Sequence, residues 1–212
     1  MTAKKTMSTK EVLQSDPVNE FWGKVQAYVN ENRQKLIAIG VTLCVVVGAV
    51  VIWKNVRETA RQESLTLLHT NMQLLETPSV KEAVDLKARY GQARQGFEKV
   101  LQQYSGTPAA TTALLFAGDS CFKLEQYDDA ISYYTDFVDK AGSALSHLVP
   151  AAYSSIGYAH EAKGEYAEAV TLFEKQKAAL GDTGASAALL NIGRCYEAAG
   201  NREKACQAYR EY

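Results

Sequence analysis

The sequence predicts an all-α protein in which a single N-terminal transmembrane helix is followed by a solenoid of helical hairpins. Three observations predict it. Residues Leu36 to Trp53, LIAIGVTLCVVVGAVVIW, run eighteen positions without a charge. Behind them, AGDSCFKLEQYDDAISYYTDF, IGYAHEAKGEYAEAVTLFEKQ and IGRCYEAAGNREKACQAYREY align with one another as successive copies of one unit. The chain as a whole, 212 residues at 47% hydrophobic and 22% charged, has the composition of a folded domain with one core rather than of a disordered segment.

The first 35 residues hold six Lys/Arg against four Asp/Glu, and the part after Trp53 holds 17 against 20. Neither half is basic enough to attract nucleic acid. Within the N-terminal segment, Val18, Phe21, Trp22, Val25, Tyr28 and Val29 fall at helical spacing, with Asp16 placed to cap the helix and Pro17 at its first position. This juxtamembrane helix is amphipathic, and two roles remain open for its apolar face: lying in the lipid headgroup layer, or docking a membrane partner.

Eleven residues of the uncharged run are Leu, Ile or Val. At about −0.3 to −0.6 kcal/mol each, they favour insertion by about 3 to 7 kcal/mol in total. A helix of that length reaches about 27 Å, close to the hydrocarbon thickness of a bilayer, and Trp53 and Lys54 suit its interface. No small-x-small cleavage site follows the run, and Cys44 lies mid-run behind Leu43, unlike a lipidated cysteine. The segment therefore reads as an uncleaved signal anchor. Basic residues close to it tie, with Lys24, Arg33 and Lys35 before and Lys54, Arg57 and Arg61 after. Lys4, Lys5 and Lys10 tip the short N-terminal segment toward the cytoplasm. Gly40, Cys44 and Gly48 recur every four residues and offer a small-residue face for helix packing.

In the aligned copies, Gly118, Gly157 and Gly193 stand where the two helices of a hairpin crowd, and Cys121, His160 and Tyr196 follow on the same face. Ala130, Ala169 and Ala205 give the second helix its close contact, and Tyr134, Phe173 and Tyr209 its bulky knob. The spacing from alanine to alanine is 39 and then 36 residues, with the excess over a minimal repeat expected in the connecting loops. With the turns KGEY and AGNR, these positions resemble tetratricopeptide repeats. ARYGQARQGFEKVLQQYSGTP matches only the second helix of such a unit, through Ala93 and Phe97. A long helix from about Asn55 to Glu76, broken at Thr77 and Pro78, is expected to pack over it as an atypical capping unit.

The organisation is thus a cytoplasmic segment over 1–35, the anchor over 36–53, a linker helix and atypical first hairpin over 54–104, and TPR-like repeats over 105–212. The third repeat stops at Tyr212 inside its second helix. Ala205, Cys206, Tyr209 and Tyr212 are expected to form an uncovered apolar edge, left by truncation or used for docking.

No catalytic pattern emerges. His69, His147 and His160 do not fall into metal-ligand spacing, and there is no Gly-rich phosphate loop or nucleophile elbow. His160 reads as a hydrogen-bonded core residue, and Asp128 and Asp129 as helix-start carboxylates rather than an acid/base pair. Neither an enzyme activity nor a cofactor is expected. Cys121, Cys195 and Cys206 are odd in number; they read as small buried hydrophobes, with a Cys195–Cys206 bond the alternative.

Repeat solenoids bind through the concave face of their first helices. Carried over by repeat position, that face holds Asp119, Phe122 and Lys123, then Tyr158 and Glu161, then Arg194 and Glu197. It lacks the Lys, Arg and Asn set with which such domains clamp a terminal carboxylate. The whole layout resembles the YfgM-type ancillary translocon subunits of bacterial inner membranes, and QQYSGTPAATTALLFAGDS is similar to the repeat linkers of Tol-Pal cell-division coordinators. The resemblance implies a membrane-tethered, periplasmic, non-enzymatic scaffold with protein partners such as the Sec translocon and periplasmic chaperones. Two other readings stay open: an import receptor whose cytosolic solenoid binds targeting peptides, and a structural protein that assembles with copies of itself.

Overall fold

The computed structural model describes residues 17–76, 83–181 and 184–212, and divides into two compact units, Met1–Arg57 and Glu58–Tyr212. Among the described residues every element is a helix: α1 (Pro17–Glu31), α2 (Arg33–Glu76), α3 (Ala83–Gln103), α4 (Pro108–Lys123), α5 (Tyr127–Lys140), a short 3₁₀ turn (Ser146–Leu148), α6 (Val149–Ala162), α7 (Tyr166–Leu180), α8 (Ala185–Ala198) and α9 (Arg202–Glu211). Asp16, Thr77 and Pro78, read above as a helix cap and a helix break, lie outside the described residues.

The first unit holds α1 and the start of α2. α1 begins at Pro17, where a fixed φ and a missing N–H suit the first helical turn. The apolar run lies on the one described helix long and apolar enough to cross a membrane, and none of its most apolar stretch is buried within the protein. Its single hydroxyl, Thr42, donates to the Ala38 carbonyl at 2.8 Å and so carries no unmet polar group. A Cβ added at Gly40 or Gly48 would meet nothing within 4 Å, and Cys44 is exposed. Beyond the run, the Arg57 guanidinium sits 5.0 Å over the Trp53 ring.

The second unit stacks helix pairs. The last part of α2 packs on α3: Leu68 joins Ala93, Phe97 and Val100 in one buried cluster, and Gly96 lies so close to Asn71 that a Cβ would overlap its amide. Tyr104 donates to Glu63 at 3.3 Å, and Arg89 donates to the Leu74 carbonyl. Ala93 and Phe97 are fully buried where the two helices meet.

The hairpins α4/α5, α6/α7 and α8/α9 follow. In each, the glycine of the first helix faces the aromatic knob of the second: Gly118 meets Tyr134, Gly157 meets Phe173 and Gly193 meets Tyr209, and a Cβ at any of the three would stand within 2.3–2.8 Å of ring carbon. Burying Phe173 contributes about 1.5–3 kcal/mol, available only because the opposing position has no side chain. α4 starts at Thr107, whose hydroxyl accepts from Ala110 N at 3.1 Å, with Pro108 just inside. At α9, Asn201 does the same for Lys204 N at 3.2 Å.

The turns within the three hairpins share one closure. The N–H groups of Gln126, Glu165 and Asn201 donate to the carbonyls of Cys121, His160 and Tyr196 at 2.8–2.9 Å, and those of Glu125, Gly164 and Gly200 to Phe122, Glu161 and Glu197. This double bond requires a left-handed residue. Gly164 and Gly200 take it at φ 78°, whereas the first hairpin places Glu125 there at φ 63°. Between hairpins the chain needs 141–148 and then 181–184, so the extra length over a minimal repeat does lie in the connections.

Two expectations about the last hairpin are corrected. Ala205 is covered, at 4% exposure, because it points into its own hairpin. Cys206, one residue on, is turned about 100° away around the helix and is exposed. It is neither a buried hydrophobe nor bonded to Cys195, which is free and buried, as is Cys121. Tyr209 and Tyr212 remain exposed at 37% and 63%.

Candidate protein-binding groove

The first helices of the hairpins place Asp119, Phe122 and Lys123 beside Ser155 and Tyr158 around a cavity of about 400 Å³. Tyr134 forms its floor, Phe116 adds a wall from α4, and Leu75 and Tyr90 close the side toward α2 and α3. The lining is mainly aromatic, with a few fixed polar groups.

Each polar group has a distinct status. Tyr134 donates its hydroxyl to Asp119 Oδ1 at 2.6 Å. Asp119 is exposed along its length, but the crowding of its carboxylate raises its pKa, against the lowering effects of the Tyr134 bond and the Lys123 charge. Burial likewise raises the pKa of the Tyr134 hydroxyl, and the Asp119 charge adds to the shift. Phe122 packs edge-on against Tyr127 at 5.5 Å. Lys123 is exposed and forms no ion pair among the described residues.

The second and third hairpins are clamped together across this face. Arg194 donates to both carboxylate oxygens of Glu161, at 2.8 and 2.6 Å, and its guanidinium lies 5.6 Å over the Tyr158 ring. Asn191 donates to the Tyr158 hydroxyl at 2.9 Å, and Tyr158 meets Phe173 edge-on at 5.2 Å. Tyr209 donates to Glu197 at 3.0 Å. Both tyrosine knobs donate to a carboxylate on the first helix of their own hairpin, though at different repeat positions, and Phe173, which has no hydroxyl, meets the Tyr158 ring in the column of Asp119.

Of the seven concave-face residues expected from sequence, the cavity brings together Asp119, Phe122, Lys123 and Tyr158. Glu161, Arg194 and Glu197 lie further along, engaged with other groups of the chain. Sequence reasoning missed Phe116, Ser155 and Asn191. These occupy one repeat column, two residues before the aligned glycine of each hairpin, and their i, i+3 relation to Asp119, Tyr158 and Arg194 puts them on the same face. His160 is hydrogen-bonded as expected, with Nδ1 2.7 Å from Glu165. Lys163 bridges Glu165 at 2.8 Å to Asp128 of the previous hairpin at 2.7 Å, and its hydrogen bond, together with that of His160, lowers the Glu165 pKa. Asp129 faces Arg94 at 3.7 Å, so the acidic pair at the start of α5 is spent on neighbouring helices. Among the described residues no group of His, Cys, Asp and Glu is arranged to hold a metal ion.

Comparisons with known proteins agree with the repeat architecture. Tetratricopeptide repeat family models match residues 87–146, 152–184 and 187–212. No curated protein sequence matches the chain. Among solved structures it is similar to the MamA protein, at 19% identity and TM-score 0.56 over 88% of each chain. It is also similar to a Podosopora anserina kinesin light chain with nearly identical TPR-like repeats, at 17% identity and TM-score 0.51 over 73% of this chain and 90% of that one. BtubC from P. vanneervenii is similar at 14% identity and TM-score 0.50, over 93% and 91%. At such identities the likeness shows the fold alone, a solenoid of helical hairpins. With the repeat models phased on the hairpins just described, the chain belongs to the tetratricopeptide repeat proteins.

Proposed function

We propose that the chain is a non-enzymatic, membrane-tethered scaffold of the bacterial inner membrane, with residues 36–53 crossing the bilayer, the N-terminal segment in the cytoplasm and the repeats in the periplasm. There the groove holds segments of other proteins, at the Sec translocon or an envelope-assembly machine and in company with periplasmic chaperones. The observation that carries this reading is the aromatic cavity between α4 and α6, open on the face that repeat solenoids use for partners. Phe122, Lys123 and Tyr158 offer direct contacts, while Glu161, Arg194 and Glu197 hold the walls in place. The uncharged run supports the tether.

A second reading, a cytosolic solenoid that binds targeting peptides, is favoured by the free state of Cys121, Cys195 and the exposed Cys206, which suits a reducing compartment. Protease added to spheroplasts decides between them. The scaffold reading predicts digestion of residues 58–212 from outside, with an anchored remnant resisting alkaline carbonate extraction. Repeats protected until the membrane is opened would favour the receptor, and full extraction of the intact chain would remove the tether.

A further inference from the structure

α1 stands one residue, Asn32, ahead of the helix that carries the apolar run. Phe21, Trp22 and Tyr28 are about 60% exposed and Val29 is 42% exposed, and with Val18 and Val25 they make one stripe. No core cluster among the described residues includes any of them. The rest of the helix surface is polar but nearly neutral: one lysine, Lys24, against two glutamates, Glu20 and Glu31, with Lys24 paired to Glu20 at 2.9 Å.

From this arrangement we propose that α1 is a lipid-surface helix, lying along the membrane beside the start of the apolar run with Phe21, Trp22, Val25 and Tyr28 sunk among headgroups and upper acyl chains. The inference rests on the tether proposed above. Three features select lipid over protein as the occupant. The stripe is rich in aromatic residues, which prefer the membrane interface. It covers only two heptads, short of the three to four that a coiled coil with a second copy needs. And α1 is about 22 Å long and joined directly to the bilayer-spanning segment, so its whole length stays within reach of the surface. Asn32 stands at the join between the two helices: its N–H makes the last ladder bond of α1, to the Tyr28 carbonyl at 3.0 Å, its side-chain amide shares that carbonyl, and its own carbonyl opens the ladder of α2 by accepting from Leu36 N–H at 2.9 Å. Because α1 carries no net positive charge, apolar burial alone drives the contact, and anionic lipid is not required.

The chain contains two tryptophans, one on α1 and one at the far end of the run, which makes the test direct. The full chain is reconstituted in phosphatidylcholine vesicles as two variants, Trp53→Phe, leaving Trp22, and Trp22→Phe, leaving Trp53. Vesicles carry bromine at shallow or deep acyl positions. Trp22 is expected to lose more emission to shallow than to deep bromine, in keeping with a burial depth of about 5–10 Å, and to do so equally with and without anionic lipid. The inference is overturned if Trp22 emits as a water-exposed indole, or is blue-shifted yet untouched by bromine, while Trp53 is quenched. The first result leaves α1 in solvent and the second covers it with protein. If Trp53 is not quenched either, the tether itself fails and the inference falls with it.

Discussion

Replacing the three repeat glycines by alanine separates packing from helix propensity, because the two effects have opposite signs. Propensity alone favours alanine by about 1 kcal/mol at each site. Packing opposes it unequally. At Gly157 the new Cβ would lie 2.8 Å from Phe173 Cε1 and 2.9 Å from Cζ, where carbon atoms prefer roughly 3.5–4.0 Å. Phe173 is fully buried and has nowhere to go. Overpacking of that kind costs about 1–3 kcal/mol, so after the propensity gain Gly157→Ala should be net destabilising by up to about 2 kcal/mol. Gly118→Ala should cost somewhat more, since its Cβ approaches the Tyr134 ring at 2.6 Å and displacing that ring also strains the hydroxyl bond to Asp119. At Gly193 the overlap is tightest on paper, 2.3 Å, but Tyr209 is 37% exposed and can swing into solvent. The loss is then its exposed bond to Glu197, about 0.5–1 kcal/mol, so Gly193→Ala should be close to neutral. Urea unfolding of the detergent-solubilised chain, followed by far-UV circular dichroism, gives the ranking, and Phe173→Leu placed on Gly157→Ala should recover part of the loss. Equal stabilisation by all three alanines would refute the reasoning and reduce the glycines to weak helix formers.

Glu125→Gly should stabilise the chain by about 0.5 kcal/mol, the relief of a left-handed residue exceeding the added freedom of glycine and the loss of an exposed pair with Lys87, whereas Gly164→Ala should cost about 1 kcal/mol; thermal midpoints check both. Asp119 has a folded pKa raised above the ordinary 3.8, so folding favours its protonated form: the stability it lends is full below that value and is lost as pH rises through the folded pKa. Asp119→Asn should therefore match the parent in acid and gain on it with rising pH, read as the difference between urea midpoints; a gain on acidification instead would show a stabilising charge. In a Cys44→Ala background, a thiol reagent should modify Cys206 promptly and leave Cys121 and Cys195 until unfolding, because burial both shields those thiols and raises their pKa to about 11.

The repeat architecture was legible because it is written locally. A glycine, an alanine twelve positions later and an aromatic four beyond that meet across one hairpin, and chain geometry fixes the meeting. That the apolar run would lie on one long helix was legible for the same reason, since a helix ladder needs no tertiary contact. The groove was harder to read. Phe116 and Ser155 face it, and Asn191 reaches the Tyr158 hydroxyl behind it, through the angle at which one hairpin stacks on the next, which no single hairpin encodes. The Glu161–Arg194 clamp joins residues 33 positions apart, so each looked like an open charge when read alone. Cys206 was misplaced because its neighbour Ala205 sets the buried side of α9 and one residue of rotation reverses the outcome. At Glu125 the turn takes a left-handed residue without the glycine that announces it in the other two hairpins.

Site-specific photo-crosslinking in intact cells tests the scaffold most directly, with the photoreactive residue at Phe122 inside the groove or at Thr135 on the exposed side of α5. Discrete protein adducts from the Phe122 position, absent from Thr135 and lost when Tyr158→Glu puts a charge against the cavity, are the predicted result. Adducts that are the same from both positions, or that survive the added charge, would contradict a groove that holds protein segments.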